Sequence, residues 1–192
     1  MRLPLFPASV HLLPGGILPL RFFEPRYHRL LTLAPQQGFG LCLLGRRQPD
    51  GFTPMLAIGT RVEVVDFNLL EDGTLGIAVK GVERYRVFSV EAEPDGLLFG
   101  DVEPLPNWSS TGLEPAQLVL AERLSELFIE HPDLAAWYPQ PEWSNACWVA
   151  QRWLEVLPLS GEQKLPLLES PDCSDALRFL MSMVQETPLR AH

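Results

Sequence analysis

Lysine is nearly missing from this chain. Only Lys80 and Lys164 occur among its 192 residues, and the other basic side chains are arginines. The scarcity excludes two kinds of chemistry. A phosphate-cradling loop needs a lysine and a hydroxyl residue after its glycines. The nearest approach runs from Gly40 to Gly45 and continues with Arg46 and Arg47, and its Leu41, Cys42, Leu43 and Leu44 read as a buried strand. A Ser–Lys hydrolytic pair would have to use Ser160 and Lys164, because Lys80 falls in a predicted strand. Ser160 is better used otherwise. With Gln163 three residues on, it spells a capping box at the start of a short helix.

Cysteine and histidine are also few. Cys42, Cys147 and Cys173 are odd in number and far apart. They predict reduced structural thiols, and with them a cytoplasmic location. His11, His28, His131 and His192 are dispersed, with no cysteine or carboxylate at ligand spacing, so no metal site is expected. No nucleophile, base and orienter occur together. The expectation is a protein that is not an enzyme and carries no cofactor.

No apolar run is long enough to cross a bilayer. The stretch Leu3–Leu31 is apolar, but Pro4, Pro7, Pro14 and Pro19 interrupt it, so it reads as mature structure rather than a secretory signal. The formal net charge is −9. Residues 1–105 hold 10 basic and 12 acidic residues, whereas residues 106–192 hold 5 and 12. An acidic second half disfavours nucleic acid and anionic membrane as partners.

The first half, residues 1–105, is strand-rich. A tight Gly15-Gly16 turn follows short strand pieces. Pro25 opens a helix over Phe23–Leu33, with Tyr27, Leu30, Leu31 and Ala34 on its apolar face. Gly38–Leu44, Met55–Leu70, Thr74–Val90 and Leu97–Val102 read as strands, with turns at Glu71-Asp72-Gly73 and Pro94-Asp95-Gly96. These hairpins predict a small, largely antiparallel barrel or sandwich. Residues 106–112 form a linker within the turn-rich Pro104–Gly112. Residues 113–192 read as a helical bundle. One helix runs from Glu114-Pro115 to about His131, a second from Pro141 to about Leu157. A short third is capped by Ser160, and a fourth starts at Ser170-Pro171 and ends near Glu186. Pro132, Pro139, Pro158 and Pro188 are placed outside the helices as stops. The fold class is α+β.

Each long helix carries more apolar residues than one core stripe uses. On the second helix Trp143, Ala146, Val149, Ala150, Trp153, Leu154 and Leu157 share a stripe, and Trp148 lies opposite with Gln151, Arg152 and Glu155. On the first helix Leu118 and Ile129 lie opposite Leu120, Leu124, Leu127 and Phe128. On the last, Phe179 and Met183 lie opposite Leu177, Leu180, Met181 and Val184. Trp148, Phe179, Met183, Leu118 and Ile129 either pack against neighbouring elements or form an exposed surface for apolar polypeptide segments.

Leu3-Pro4-Leu5-Phe6-Pro7, Leu13-Pro14-Gly15, Leu18-Pro19-Leu20 and Phe23-Glu24-Pro25-Arg26-Tyr27 together resemble the opening of the Lon protease N-terminal domain, the substrate-binding module of that ATP-dependent protease. Gly81-Val82-Glu83-Arg84-Tyr85-Arg86 and Leu157-Pro158-Leu159-Ser160 through Leu168 resemble later stretches in the right order. The resemblance implies a PUA-like antiparallel barrel with one helix, followed by the helical bundle. It implies substrate binding in a stand-alone member without the ATPase or protease modules. Phe23, Glu24, Pro25, Arg26, Tyr27, Gly81 and Arg84 carry the family motif and read as structural. The expected partners are polypeptide clients or a protein partner, with no nucleic acid and no membrane. The alternatives are an adaptor that recruits a separate ATPase or protease or self-assembles as a homo-oligomer, and a small-molecule or RNA binder of the PUA-like class.

Overall fold

A computed structural model describes residues 1–69 and 75–186. Among the described residues the chain forms six strands and six α-helices, an α+β arrangement: β1 (Arg2–Ala8), β2 (Ile17–Phe22), α1 (Pro25–Gln37), β3 (Phe39–Leu44), β4 (Met55–Leu69), β5 (Leu75–Ala92), β6 (Leu98–Pro104), α2 (Leu118–Glu130), α3 (Pro132–Ala135), α4 (Ala146–Val156), α5 (Gly161–Glu169) and α6 (Ser174–Glu186). No described helix is long and apolar enough to cross a membrane. The chain divides into two compact units. The first holds residues 1–107 and 160–165, the second 108–159 and 166–192.

The strands of the first unit form one sheet in the order β2-β5-β4-β3-β1-β6, and β6 also pairs with β5. Five strands thus make a closed circuit of hydrogen bonds. The sheet is mixed, not antiparallel throughout, because β1 runs parallel to β3. The reason is the connection between them. It carries β2 and α1, and a crossover of that length returns the chain in the same direction.

The fit of α1 against the sheet is aromatic. Phe6 meets Tyr27 at 4.7 Å and Phe22 at 5.1 Å between ring centroids. Pro25 starts the helix after Glu24, as its fixed φ and missing N–H allow. The helix continues past Leu33 to Gln37 even though Pro35 lies inside it, and Gly38, at φ 71°, ends it. A bulge in β4 between Val64 and Asp66 shifts the alternation by one residue. Phe67 therefore returns to the face of Val64, opposite Ile77, which is buried. The turn expected at Glu71-Asp72-Gly73 lies outside the described residues, as do Pro188 and His192.

A second core surrounds Tyr85, which is fully buried with Leu3, Leu5, Cys42 and Val102. The Tyr85 hydroxyl donates to the Leu41 carbonyl at 3.0 Å. Gly40 and Gly59 leave the room: a Cβ on either would stand 2.3–2.4 Å from that oxygen. Burial pushes the Tyr85 phenol well above its usual range and the Cys42 thiol up to about 12.

Two helix starts in the second unit differ from expectation. The helix expected from Pro141 begins at Ala146. The Asn145 side chain accepts from the backbone N–H groups of Cys147 and Trp148, and so terminates the helix there. The last helix begins at Ser174 rather than at Ser170-Pro171. Pro132 follows the end of α2 at Glu130 but also opens α3 as its first residue, so it does not lie outside the helices. At Ser160 the capping box forms: its N–H donates to Gln163 Oε1 at 2.9 Å, and the Gln163 N–H donates to Ser160 Oγ at 3.3 Å. Replacing Asn145 by Ala is expected to lower the stability of the second unit by about 1 kcal/mol. The readout is the urea midpoint by tryptophan fluorescence, and an unchanged midpoint would show that the cap is not what holds the start of α4.

Candidate functional site

The five residues singled out as a polypeptide-binding surface do not share one environment. Trp148 is buried, 7% exposed, and is corrected here to a core residue. Its ring sits among Trp143 at 5.3 Å, Tyr138 at 5.8 Å and Phe128 at 6.3 Å, all edge-on. The late start of α4 explains this. Trp143 falls in the turn before the helix, off the stripe, and so reaches the far face. On that face Gln151 and Arg152 are buried too. The Arg152 guanidinium lies over the Tyr138 and Trp148 rings and pairs with Glu155 at 2.8 Å. Helix α4 is enclosed on two sides rather than one.

Leu118 and Ile129 are exposed on α2, Ile129 by 78%. Phe179 and Met183 are half-buried on α6. Met183 lines an apolar cavity of about 190 Å³ together with Leu120, Trp153, Leu157, Leu180 and Val184, with Arg123 as its charged lining residue. Trp153 is held in place because its indole N–H donates to the Leu120 carbonyl at 2.9 Å. The cavity mixes stripe residues with an off-stripe one. The separation of core face from outer face in the sequence reading did not anticipate this.

The first unit holds apolar surface of its own that the sequence reading passed over. Phe67, 58% exposed, lines a cavity of about 280 Å³ with Leu31, Ala34, Pro35, Glu63 and Val64. Phe23, Phe52 and Phe88 are exposed elsewhere on this unit. No pattern in the sequence points to this surface, because it turns on the phase of β4. Only the bulge, which leaves no mark in residue types, sets that phase.

The motif residues make packing contacts. Arg26 pairs with Glu24 at 2.9 Å, covers the Tyr27 ring at 4.9 Å and donates to the Gly96 carbonyl at 3.0 Å. Arg29 donates to Asp95 at 2.8 Å, and that hydrogen bond holds the Asp95 carboxyl below its ordinary range. Helix α1 thereby grips the turn between β5 and β6. Phe23 is exposed. Arg84 is buried and donates to the Pro106 carbonyl at 2.7 Å. Gly81 exchanges hydrogen bonds with Gly15 and Gly16, each 2.9 Å. Among the described residues no three metal-ligating side chains gather.

A family model described as the ATP-dependent protease La (LON) substrate-binding domain matches residues 2–186. The chain belongs to that family. Its sequence is 23% identical over 187 residues to Lon protease 1 of Hydrogenovibrio crunogenus, covering 92% of this chain and 23% of that protein. The chain thus spans about a quarter of that relative's length. A crystal structure of a Lon N-terminal domain protein from Xanthomonas campestris is 33% identical, with a TM-score of 0.74 over 95% of this chain and 98% of that one. The N-terminal domain of a Mycobacterium avium complex Lon protease shares the fold at 17% identity, with a TM-score of 0.63 over 97% and 99% of the two chains.

Proposed function

We propose that this chain binds unfolded or partly folded polypeptide and performs no chemistry on it, ATP hydrolysis and peptide cleavage belonging to other modules. The observation that supports the reading most is the apolar cavity bounded by α2, α4 and α6, in a family of substrate-binding domains. Met183 and Trp153 offer a polarisable, adaptable lining, which suits many client side chains in turn. Leu118 and Ile129 add exposed apolar surface on α2. The sheet closed through β5–β6 is consistent with a PUA-like barrel in the first unit, and the helices of the second with a bundle. The proposed domain division is a β-unit over residues 1–105, the 106–112 segment and a helical unit from residue 113, from which residues 160–165 depart to join the first compact unit. The acidic excess of residues 106–192 favours apolar or basic segments over nucleic acid. The three free cysteines fit the cytoplasm.

Contact over about 400 Å² of apolar surface is worth about 10 kcal/mol at ~25 cal/mol per Å². Ordering and association costs reduce this to affinities on the order of 10 μM. Titration of the intrinsic tryptophan fluorescence with a reduced, carboxymethylated, permanently unfolded protein is expected to saturate in that range, because Trp153 lines the cavity. Met183→Glu is expected to weaken binding about tenfold. An equal response to the same protein in its folded form would overturn the reading. So would a Met183→Glu variant that keeps its fold and full affinity.

A further inference from the structure

We propose that Cys147 and Cys173 form a reversible dithiol–disulfide pair, a modification site that cross-links the amino ends of α4 and α6. Cys147 is the second residue of α4, and Cys173 immediately precedes α6. Both are buried, at 4% and 3% exposure. The Cys147 thiol donates to Cys173 Sγ at 2.7 Å. A disulfide holds its sulfurs about 2.05 Å apart, so the two atoms need move by well under an ångström. The same Cys147 sulfur lies 2.9 Å from the Ser109 carbonyl. A thiol has one proton, and here it has two acceptors.

The backbone around the pair is already fixed. Asn145 Oδ1 accepts from the Cys147 N–H at 3.1 Å, and the Ser174 N–H donates to Asp172 at 2.8 Å. Bond formation would therefore order little that is not ordered already. Cys42 serves as the internal contrast. It is buried in β3 of the first unit, with the Tyr85 hydroxyl at 3.6 Å as its side-chain partner.

The oxidant is a small-molecule disulfide such as oxidised glutathione. One protein thiolate attacks it and releases one reduced glutathione, leaving a mixed disulfide. The second thiol loses its proton to solvent and attacks the protein sulfur of that mixed disulfide, releasing the other glutathione. Two protein thiols are oxidised and one glutathione disulfide is reduced to two thiols. Burial raises the Cys173 thiol to about 12, which slows the exchange, so the reaction proceeds through local opening of the unit. The cross-linked helices carry Trp153, with Leu157 just past the end of α4, on one side and Leu180, Met183 and Val184 on the other, so the bond would fix the spacing of two cavity walls.

The test uses the full chain incubated with oxidised glutathione, then unfolded in denaturant and alkylated. Before alkylation the oxidised chain is expected to be 2 Da lighter than the reduced one; after it the chain should carry a single alkyl group, on Cys42, where the reduced chain carries three, with a peptide joining Cys147 to Cys173. The melting transition reported by tryptophan fluorescence should rise by about 10 °C and return on reduction by dithiothreitol. Cys42→Ala should form the same cross-link and show the same rise with no thiol left to alkylate, and Cys173→Ser should lose both the cross-link and the rise. Three alkylated thiols after oxidation would overturn the proposal, and so would glutathione retained on separate cysteines. The peptide map of the unsubstituted chain decides the matter even if Cys173→Ser fails to fold.

Discussion

Acidification from pH 6.5 to pH 4.5 is expected to strip about 2 kcal/mol from the first unit, and His11→Leu is expected to abolish most of that loss. His11 lies between β1 and β2 and is buried, with no hydrogen-bond partner for either ring nitrogen. Burial, with the Lys164 ammonium as a lesser cause, lowers its pKa from 6.5 to about 3. The folded chain therefore holds His11 neutral where the unfolded chain takes up a proton. Stability is intact above pH 6.5. It falls by about 1.4 kcal/mol per pH unit down to about pH 3, for a total of about 5 kcal/mol. Asp95 and Glu162, held below their ordinary range by Arg29 and by the Arg46 N–H, add a loss of the same sign only below about pH 4. All five tryptophans lie at 108 or beyond, so their fluorescence follows the second unit. Amide exchange in β3–β5 follows the first. A His11→Leu chain whose β-strand protection fell with pH as steeply as the parent's would refute the assignment.

The second large effect is expected at Gly81. A Cβ there would lie 2.2 Å from the Leu13 carbonyl oxygen and 2.8 Å from its carbon. These are backbone atoms with little freedom to retreat. Gly15 and Gly16 are hydrogen-bonded to Gly81, and the buried Thr60 hydroxyl donates to the Leu12 carbonyl at 2.6 Å. Gly81→Ala is expected to cost about 3 kcal/mol in the first unit. Gly112→Ala, with nothing within 4 Å of the new carbon, is the matched control and should change stability by less than about 0.5 kcal/mol. Equal denaturation midpoints for the two variants would sink the steric argument.

Much of the architecture could be read from residue types because its causes are local. Pro25 marks the first turn of α1 whatever packs on it. Ser160 and Gln163 form their capping box across three residues. The apolar run at Phe39–Leu44 is a strand because it is buried on both faces. What escaped the reading depends on distant partners. The parallel pairing of β1 with β3 depends on the route of a long crossover. The late start of α4 turns on Asn145 outcompeting Pro141, and that choice sends Trp143 to the far face and seals Trp148. Gly40 and Gly59 look like ordinary strand glycines until Tyr85 is seen filling the space between them.

By itself, the order of amino acids determined the succession of strands and helices and the family likeness of the first thirty residues. Each of these follows from dihedral preference, capping or plain chemical inventory. Only the tertiary structure decided which apolar residues stay in contact with water, how Met183 joins Trp153 around one cavity, and that two thiols 26 positions apart meet. Exposure and proximity are properties of packing between segments remote in the chain, and a periodic pattern along one helix does not encode what closes over its other face.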